Sequence, residues 1–136
     1  MVQQTSAPPL VILSLTKRLV AVNAHTGQRV WEYESGYHDG RLFVDQGLVI
    51  FSVMGVVHCL DYLTGALRWK TPLPTSVRGA DTVLVFAGCV IALGLGEAVC
   101  LNAQNGALLW HDTFKGYGSA SGPLAAPGVA TQIDHR

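Results

Sequence analysis

Charge is scarce in this chain. Of 136 residues only 13% are charged, nine basic against nine acidic, for a formal net charge of zero. A nucleic-acid surface needs a basic patch, and this balance supplies none. A disordered chain needs high charge and low hydrophobicity, and neither is present. Long apolar helices are missing as well. The charge-free stretches 46–60 and 82–96 each stop at 15 residues, where a membrane span needs about 20, and both contain glycines. Residues 1–9 form a polar leader without a basic start, and the apolar run at 10–15 is too short for a signal sequence. The expectation is a cytoplasmic chain with no membrane span. Cysteine is limited to Cys59, Cys89 and Cys100, with no CxxC or CxxH spacing. Such thiols read as reduced and buried. A metal pair of Cys59 and Cys100 with His58 is the competing reading. A small apolar filler fits better, because the same position earlier in the chain holds Ala21. No metal is expected.

What the chain has is apolar residues, 49% of the total, with a mean hydropathy of +0.33. Either every strand face is covered, or some apolar surface is reserved for another chain. It also has a repeat. Residues 10–31, 48–69 and 89–110 align without a gap. Val11, Val49 and Val90 coincide, as do Ile12, Ile50 and Ile91. Asn23, Asp61 and Asn102 follow, then Gly27, Gly65 and Gly106, and last Trp31, Trp69 and Trp110. The tryptophans stand 38 and then 41 residues apart. A period near 40 in a β-rich chain indicates a propeller blade or a solenoid unit. Gly47, Gly88 and Gly128 continue the pattern into the tail.

Taken in order, short strands are expected at 10–15, 18–24 and 28–34, with a turn at His25-Thr26-Gly27. After a loop at 35–40, a four-strand set follows at 41–44, 48–53, 56–62 and 66–71. After a second loop comes another at 82–87, 90–95, 98–103 and 107–113. Val83-Leu84-Val85-Phe86 and Val49-Ile50-Phe51 are continuously apolar, as strands covered on both faces are. Four-stranded antiparallel sheets stacked around an axis meet that need. The expected fold is all-β: propeller blades at 10–34, 41–71 and 82–114, and a partial fourth at 123–134. Asn23, Asp61 and Asn102 can accept hydrogen bonds from the turns that follow them. Each tryptophan offers apolar area and an N–H for a neighbouring blade's backbone.

The segment Leu19-Val-Ala-Val-Asn-Ala-His-Thr-Gly-Gln-Arg-Val-Trp31, with its two further copies, resembles the PQQ-like β-propeller repeat. The resemblance covers roughly residues 10–114. It implies either a quinone-dependent dehydrogenase or a non-catalytic propeller such as the outer-membrane assembly lipoprotein. The dehydrogenases hold a quinone through a calcium-ligating acidic cluster, and many carry a disulfide between adjacent cysteines. No adjacent cysteines exist here, and no such cluster stands outside the repeat positions. The reading is therefore a non-catalytic interaction or scaffold module that binds a partner protein or ligand through its blade faces or the axial channel, with no catalytic residues and no cofactor. A part or degenerate relative of a quinone-dependent dehydrogenase is the alternative.

Three blades and a part cannot close a ring. The first blade lacks its innermost strand, which residues 123–126 or 128–134 could supply, from the same chain or a neighbour. The expectation is a homo-oligomer, most simply a dimer, or a protein partner, that completes the propeller. Ligand or partner binding would fall on polar residues of the interblade loops: Tyr37, His38, Asp39 and Arg41, then Arg78 and Asp81, then Lys115 and Tyr117. Solvated loop polarity explains the same residues without a site. His58, where the other copies have Val20 and Val99, reads as a satisfied, half-buried histidine.

Overall fold

The computed structural model describes residues 9–37, 40–45, 47–74, 82–118 and 122–130. Every regular element among them is a strand. The first sheet has three: β1 (Leu10–Leu15), β2 (Arg18–Asn23) and β3 (Arg29–Glu34), in that order. The second has four: β4 (Arg41–Asp45), β5 (Leu48–Val53), β6 (Val56–Asp61) and β7 (Leu67–Pro72). The third repeats the second with β8 (Thr82–Phe86), β9 (Cys89–Gly94), β10 (Glu97–Asn102) and β11 (Leu108–Asp112). The tail adds a two-stranded hairpin, β12 (Ala125–Ala126) and β13 (Val129–Ala130). All pairing is antiparallel between sequence neighbours. These sheets are partial propeller blades. No helix among the described residues is long and apolar enough to cross a membrane.

Turn chemistry sets the hairpins. Met54-Gly55, Ala87-Gly88 and Leu95-Gly96 each place two successive residues at positive φ, the geometry of a tight two-residue hairpin. The third-to-fourth-strand turn is built alike in each copy. Asn23 Oδ1 accepts from His25 N (2.8 Å) and Thr26 N (3.3 Å), and Asp61 Oδ1 from Leu63 N (2.9 Å) and Thr64 N (3.1 Å). Asn102 Oδ1 accepts from Gln104 N at 2.8 Å. The backbone closes the turn from Gly27 N to Asn23 O, Gly65 N to Asp61 O, and Gly106 N to Asn102 O. A bulge precedes each turn, after Ala21, Cys59 and Cys100. These three residues stand directly across from Trp31, Trp69 and Trp110. A small side chain there leaves room for the indole lying over it.

Two cores join the sheets. The first packs Leu19, Ala21 and Trp31 against Val49, Phe51, Val53 and Leu60, with Leu10, Ile12 and Tyr33 at its edge. The second packs Leu48, Ile50, Cys59 and Trp69 against Val83, Val85, Val90, Ala92, Val99 and Leu101. The middle sheet is thus covered on both faces, and all six residues of β5 are buried. That explains its unbroken apolar run.

The described part of the tail does not pair with the first sheet. The turn at Gly128 (φ 79°) folds β12 and β13 onto each other, Ala125 opposite Ala130 and Ala126 opposite Val129, and β13 lies against β8 of the third sheet. Among the described residues no strand pairs with the inner edge of β1. Residues 131–134 lie outside the described residues.

Candidate functional site

Antiparallel order sends every crossing between sheets to one end of the stack. Tyr37 leads into β4, Arg41 begins it, and Lys115 and Tyr117 follow β11. All four are at that end. His38, Asp39, Arg78 and Asp81 lie outside the described residues. The structure does not draw the four together: no hydrogen bond or ion pair joins them to one another. Tyr37 is exposed and held through its backbone by Ser35 Oγ, which donates to Tyr37 O at 3.0 Å. Arg41 is half-buried opposite Ser52. Tyr117 is 82% exposed and meets only the edge of Phe114, with ring centres 5.9 Å apart.

The repeat residues form a second, more ordered set, at the seams between sheets. Trp31 Nε1 donates to Tyr62 O and Trp69 Nε1 to Ala103 O, each at 2.8 Å. Tyr62 and Ala103 are equivalent, each just after the turn's Asx residue. Each indole also lies on the next sheet's turn glycine. A Cβ added to Gly65 would sit 2.5 Å from the Trp31 ring, and one on Gly106 2.6 Å from that of Trp69. Thr71 Oγ1 donates to Gly106 O at 2.7 Å beside it. The first seam has two features of its own. Tyr62 Oη accepts from Leu10 N at 2.7 Å and donates to Leu10 O at 3.0 Å. The Tyr33 hydroxyl lies 2.9 Å from His58 Nδ1. Burial, then the charge of Lys70, holds His58 below the usual histidine range, so the ring is neutral and Nδ1 accepts. Burial pushes the Tyr33 hydroxyl up, which keeps it a donor.

Two of the thiols, Cys59 and Cys100, are held unreactive by the same physics. Burial pushes Cys59 up to about 11, against a smaller opposing pull from Arg68. Burial, with the adjacent Cys89 thiol adding to it, pushes Cys100 up to about 12. Among the described residues no three His, Cys, Asp or Glu side chains gather closely enough to hold a metal ion. The donor set of a calcium-held quinone is thus not found among them.

The stack ends in two open faces, which is where apolar exposure concentrates. On the first sheet Val11, Leu13 and Leu15 are 37–51% exposed, as is Val30 at 47%. A depression of about 520 Å³ beside them is lined by Leu15, Lys17, Arg18, Val20, Arg29, Glu32 and Glu34. Arg18 and Arg29 both pair with Glu32, at 3.1 and 3.6 Å. On the third sheet every residue of β11 is exposed. Trp110 is 47% exposed where Trp31 and Trp69 are each 8%. Sequence reading placed its candidate residues in the loops, while it also offered blade faces as a surface for a partner.

A family model described as outer membrane protein assembly factor BamB matches residues 15–115 and, offset by one repeat, 54–132. The chain belongs to this PQQ-like propeller family. BamB from Moraxella catarrhalis is similar at 25% identity and a TM-score of 0.61, over 76% of this chain and 34% of that one. The chain thus spans about a third of that BamB structure. The quinohemoprotein alcohol dehydrogenase ADHIIG of Pseudomonas putida HK5 is similar at 18% identity and a TM-score of 0.59, over 75% of this chain and 25% of that one. The computationally designed Ika8 protein reaches a TM-score of 0.73 at 12% identity, over 95% of this chain and 41% of that one. The last two share the fold alone. No curated protein matches the chain.

Proposed function

We propose that this chain is a non-catalytic propeller module that works by binding protein, and that the binding surfaces are its open blade faces. The observation that carries this reading is the distribution of exposed apolar side chains. Val11, Leu13 and Leu15 crowd one terminal face, and Leu108, Leu109 and Trp110 stand on the outer strand at the other end. Exposed apolar patches of this kind mark interaction surfaces. The loop residues Tyr37, Arg41, Lys115 and Tyr117 lie apart and lend no comparable support to a ligand site. Similarity to BamB, named as an assembly factor, favours the same reading. The fold also serves alcohol dehydrogenases, so fold alone does not decide.

The test has two arms. The purified chain is titrated with pyrroloquinoline quinone and calcium, followed by absorbance and by alcohol oxidation. No bound chromophore and no turnover are expected; a stoichiometric quinone with alcohol oxidation overturns the reading. A photo-crosslinker is then placed at Leu13, Leu109 or Tyr117. Crosslinks to protein are expected at the first two positions, and their confinement to Tyr117 overturns the choice of faces.

A further inference from the structure

The third blade departs from the other two at one pair of positions. Residues 10, 48 and 89 open the repeat, and residues 21, 59 and 100 are the small residues opposite its tryptophans. The pairs are Leu10 with Ala21, Leu48 with Cys59, and Cys89 with Cys100. A large side chain beside a small one fills the space in the first two blades. Packing alone would keep that leucine, and the third blade puts a thiol at both places instead.

Register brings the two thiols together. Cys100 pairs with Ile91, and Cys89 stands two residues before Ile91 on the same strand. Side chains two apart on a strand share a face, so Cys89 and Cys100 are diagonal neighbours on one face of the third sheet. Val90, Val99 and Leu101 alternate with them and fill the core against the second sheet. Diagonal neighbours stand near the widest separation a disulfide spans, and a side-chain hydrogen bond between the thiols marks this pair as a close one. The contact lies between adjacent strands of one sheet, so it does not depend on what stands beyond that sheet. The two thiols differ in access. Cys89 is half-buried beside the turn at Ala87-Gly88, whereas Cys100 is 1% exposed. Cys59 has no thiol beside it, because Leu48 holds the equivalent place.

We propose that Cys89 and Cys100 form a redox modification site, a thiol pair that a small disulfide such as glutathione disulfide converts to a cross-strand disulfide. Cys89 is the thiol a reagent reaches. Its thiolate attacks one sulfur of the reagent, and one glutathione thiolate leaves with the electron pair of the broken bond. Cys100 then attacks the Cys89 sulfur of the mixed disulfide, and the second glutathione thiolate leaves. The protons of Cys89 and Cys100 end on the two departing glutathiones. Two protein thiols are oxidised to one disulfide, and one glutathione disulfide is reduced to two thiols. Cys100 is shielded from outside reagents, but contact with Cys89 turns its attack into a step within the protein, where proximity replaces collision. The product ties β9 to β10 and closes the hairpin that turns at Leu95-Gly96.

The experiment incubates the reduced full chain with glutathione disulfide at pH 8, quenches with acid, and maps the peptides without reduction. The expected product has lost two hydrogens, carries no glutathione, joins Cys89 to Cys100 and leaves Cys59 a free thiol. Its urea midpoint should rise, and dithiothreitol should return it to the starting value. Two variants separate the roles, each borrowing the residue of another blade. Cys100→Ala should hold one glutathione on Cys89, since no second thiol displaces it. Cys89→Leu should take up none, since the two thiols left are buried. A wild-type chain that stays reduced overturns the proposal, as does one that keeps glutathione on Cys89 without forming the link. So does a link that forms only in urea, where any two cysteines can meet. Uptake of glutathione by Cys89→Leu overturns the order of attack. Neither quinone binding nor a protein partner enters these outcomes, so the site and the binding reading stand or fall separately.

Discussion

The indole of Trp69 lies against Gly106 so closely that a single added carbon would come within 2.6 Å of its ring. The same glycine sits at φ 78°. Two separate demands therefore fall on one residue: a left-handed backbone to close the turn, and an empty side-chain position to admit the neighbouring tryptophan. Gly27 faces only the first demand, since among the described residues nothing lies within 4 Å of where its Cβ would stand.

That difference is measurable in the unfolding of two single variants. Gly27→Ala should cost about 1–2 kcal/mol, the strain of an L-residue in the left-handed region. Gly106→Ala should cost that and about 1–3 kcal/mol more, because the indole must be forced aside. Urea unfolding midpoints compare the two. Equal losses would show that the turn alone requires glycine, and that the seam has no steric stake in it.

The tryptophan N–H can be tested apart from the ring. Trp69→Phe keeps an aromatic body but leaves the Ala103 carbonyl without its donor at a buried seam. The expected loss is about 1–3 kcal/mol, the cost of an unsatisfied buried acceptor. Trp110→Phe, at an exposed position, should stay within about 0.5 kcal/mol, as surface changes do. Denaturant titration of the two proteins decides. A large loss at Trp110 would mean that its indole is packed or bonded in the folded protein as Trp69 is.

The blades were legible because the repeat restates one piece of local chemistry. Asn23, Asp61 and Asn102 each accept from the turn that follows, and that preference belongs to the residue type and needs no tertiary context. The unbroken apolar run at Val49-Ile50-Phe51 likewise announced a sheet covered on both faces. What the sequence did not disclose are contacts between positions that are not equivalent. Tyr33 meets His58 only because the first sheet's outer strand lies over the second sheet's third strand, and no other copy has either residue. Tyr62 clamps Leu10 across 52 residues by the same accident of stacking. The tail escaped for another reason: two-residue strands carry too little pattern to show which edge they join.

The His58 contact makes a pH prediction. The folded histidine is held below 6.5 by burial and by Lys70, while the unfolded one titrates near 6.5. Above both values the ring is neutral in both states and contributes no pH dependence. As pH falls through the unfolded value, the unfolded chain takes up the proton first, and stability drops by at most about 1.4 kcal/mol per pH unit. The decline ends once pH passes below the folded value. Protonation also turns Nδ1 into a donor, so the Tyr33 hydroxyl must turn from donor to acceptor. The paired change Tyr33→Phe with His58→Val, which restores the valine of the other copies, should flatten the slope between pH 7 and pH 5. Unchanged slopes in urea titrations across that range would remove His58 as the cause.

Thiol chemistry supplies the last prediction. Cys59 and Cys100 lie opposite Trp69 and Trp110, and both are essentially inaccessible, at 0% and 1% exposure. With the thiols pushed to about 11 and about 12, almost nothing is ionised at pH 8. The reactive fractions are roughly one in a thousand and one in ten thousand. Iodoacetamide on the native protein should leave both unmodified over hours, and the same reagent in urea should modify all three cysteines. Cys89, half-buried at the start of β9, is the one thiol open to native labelling. Peptide mapping after a timed quench separates the three. The two buried thiols differ in their cover, which sharpens the test. Cys59 belongs to the core between the second and third sheets, whereas Cys100 lies opposite the exposed Trp110. Mild urea should therefore raise labelling at Cys100 before Cys59. Labelling of Cys59 first would mean that the inner seam opens more readily than the outer strand β11 frays, contrary to the packing.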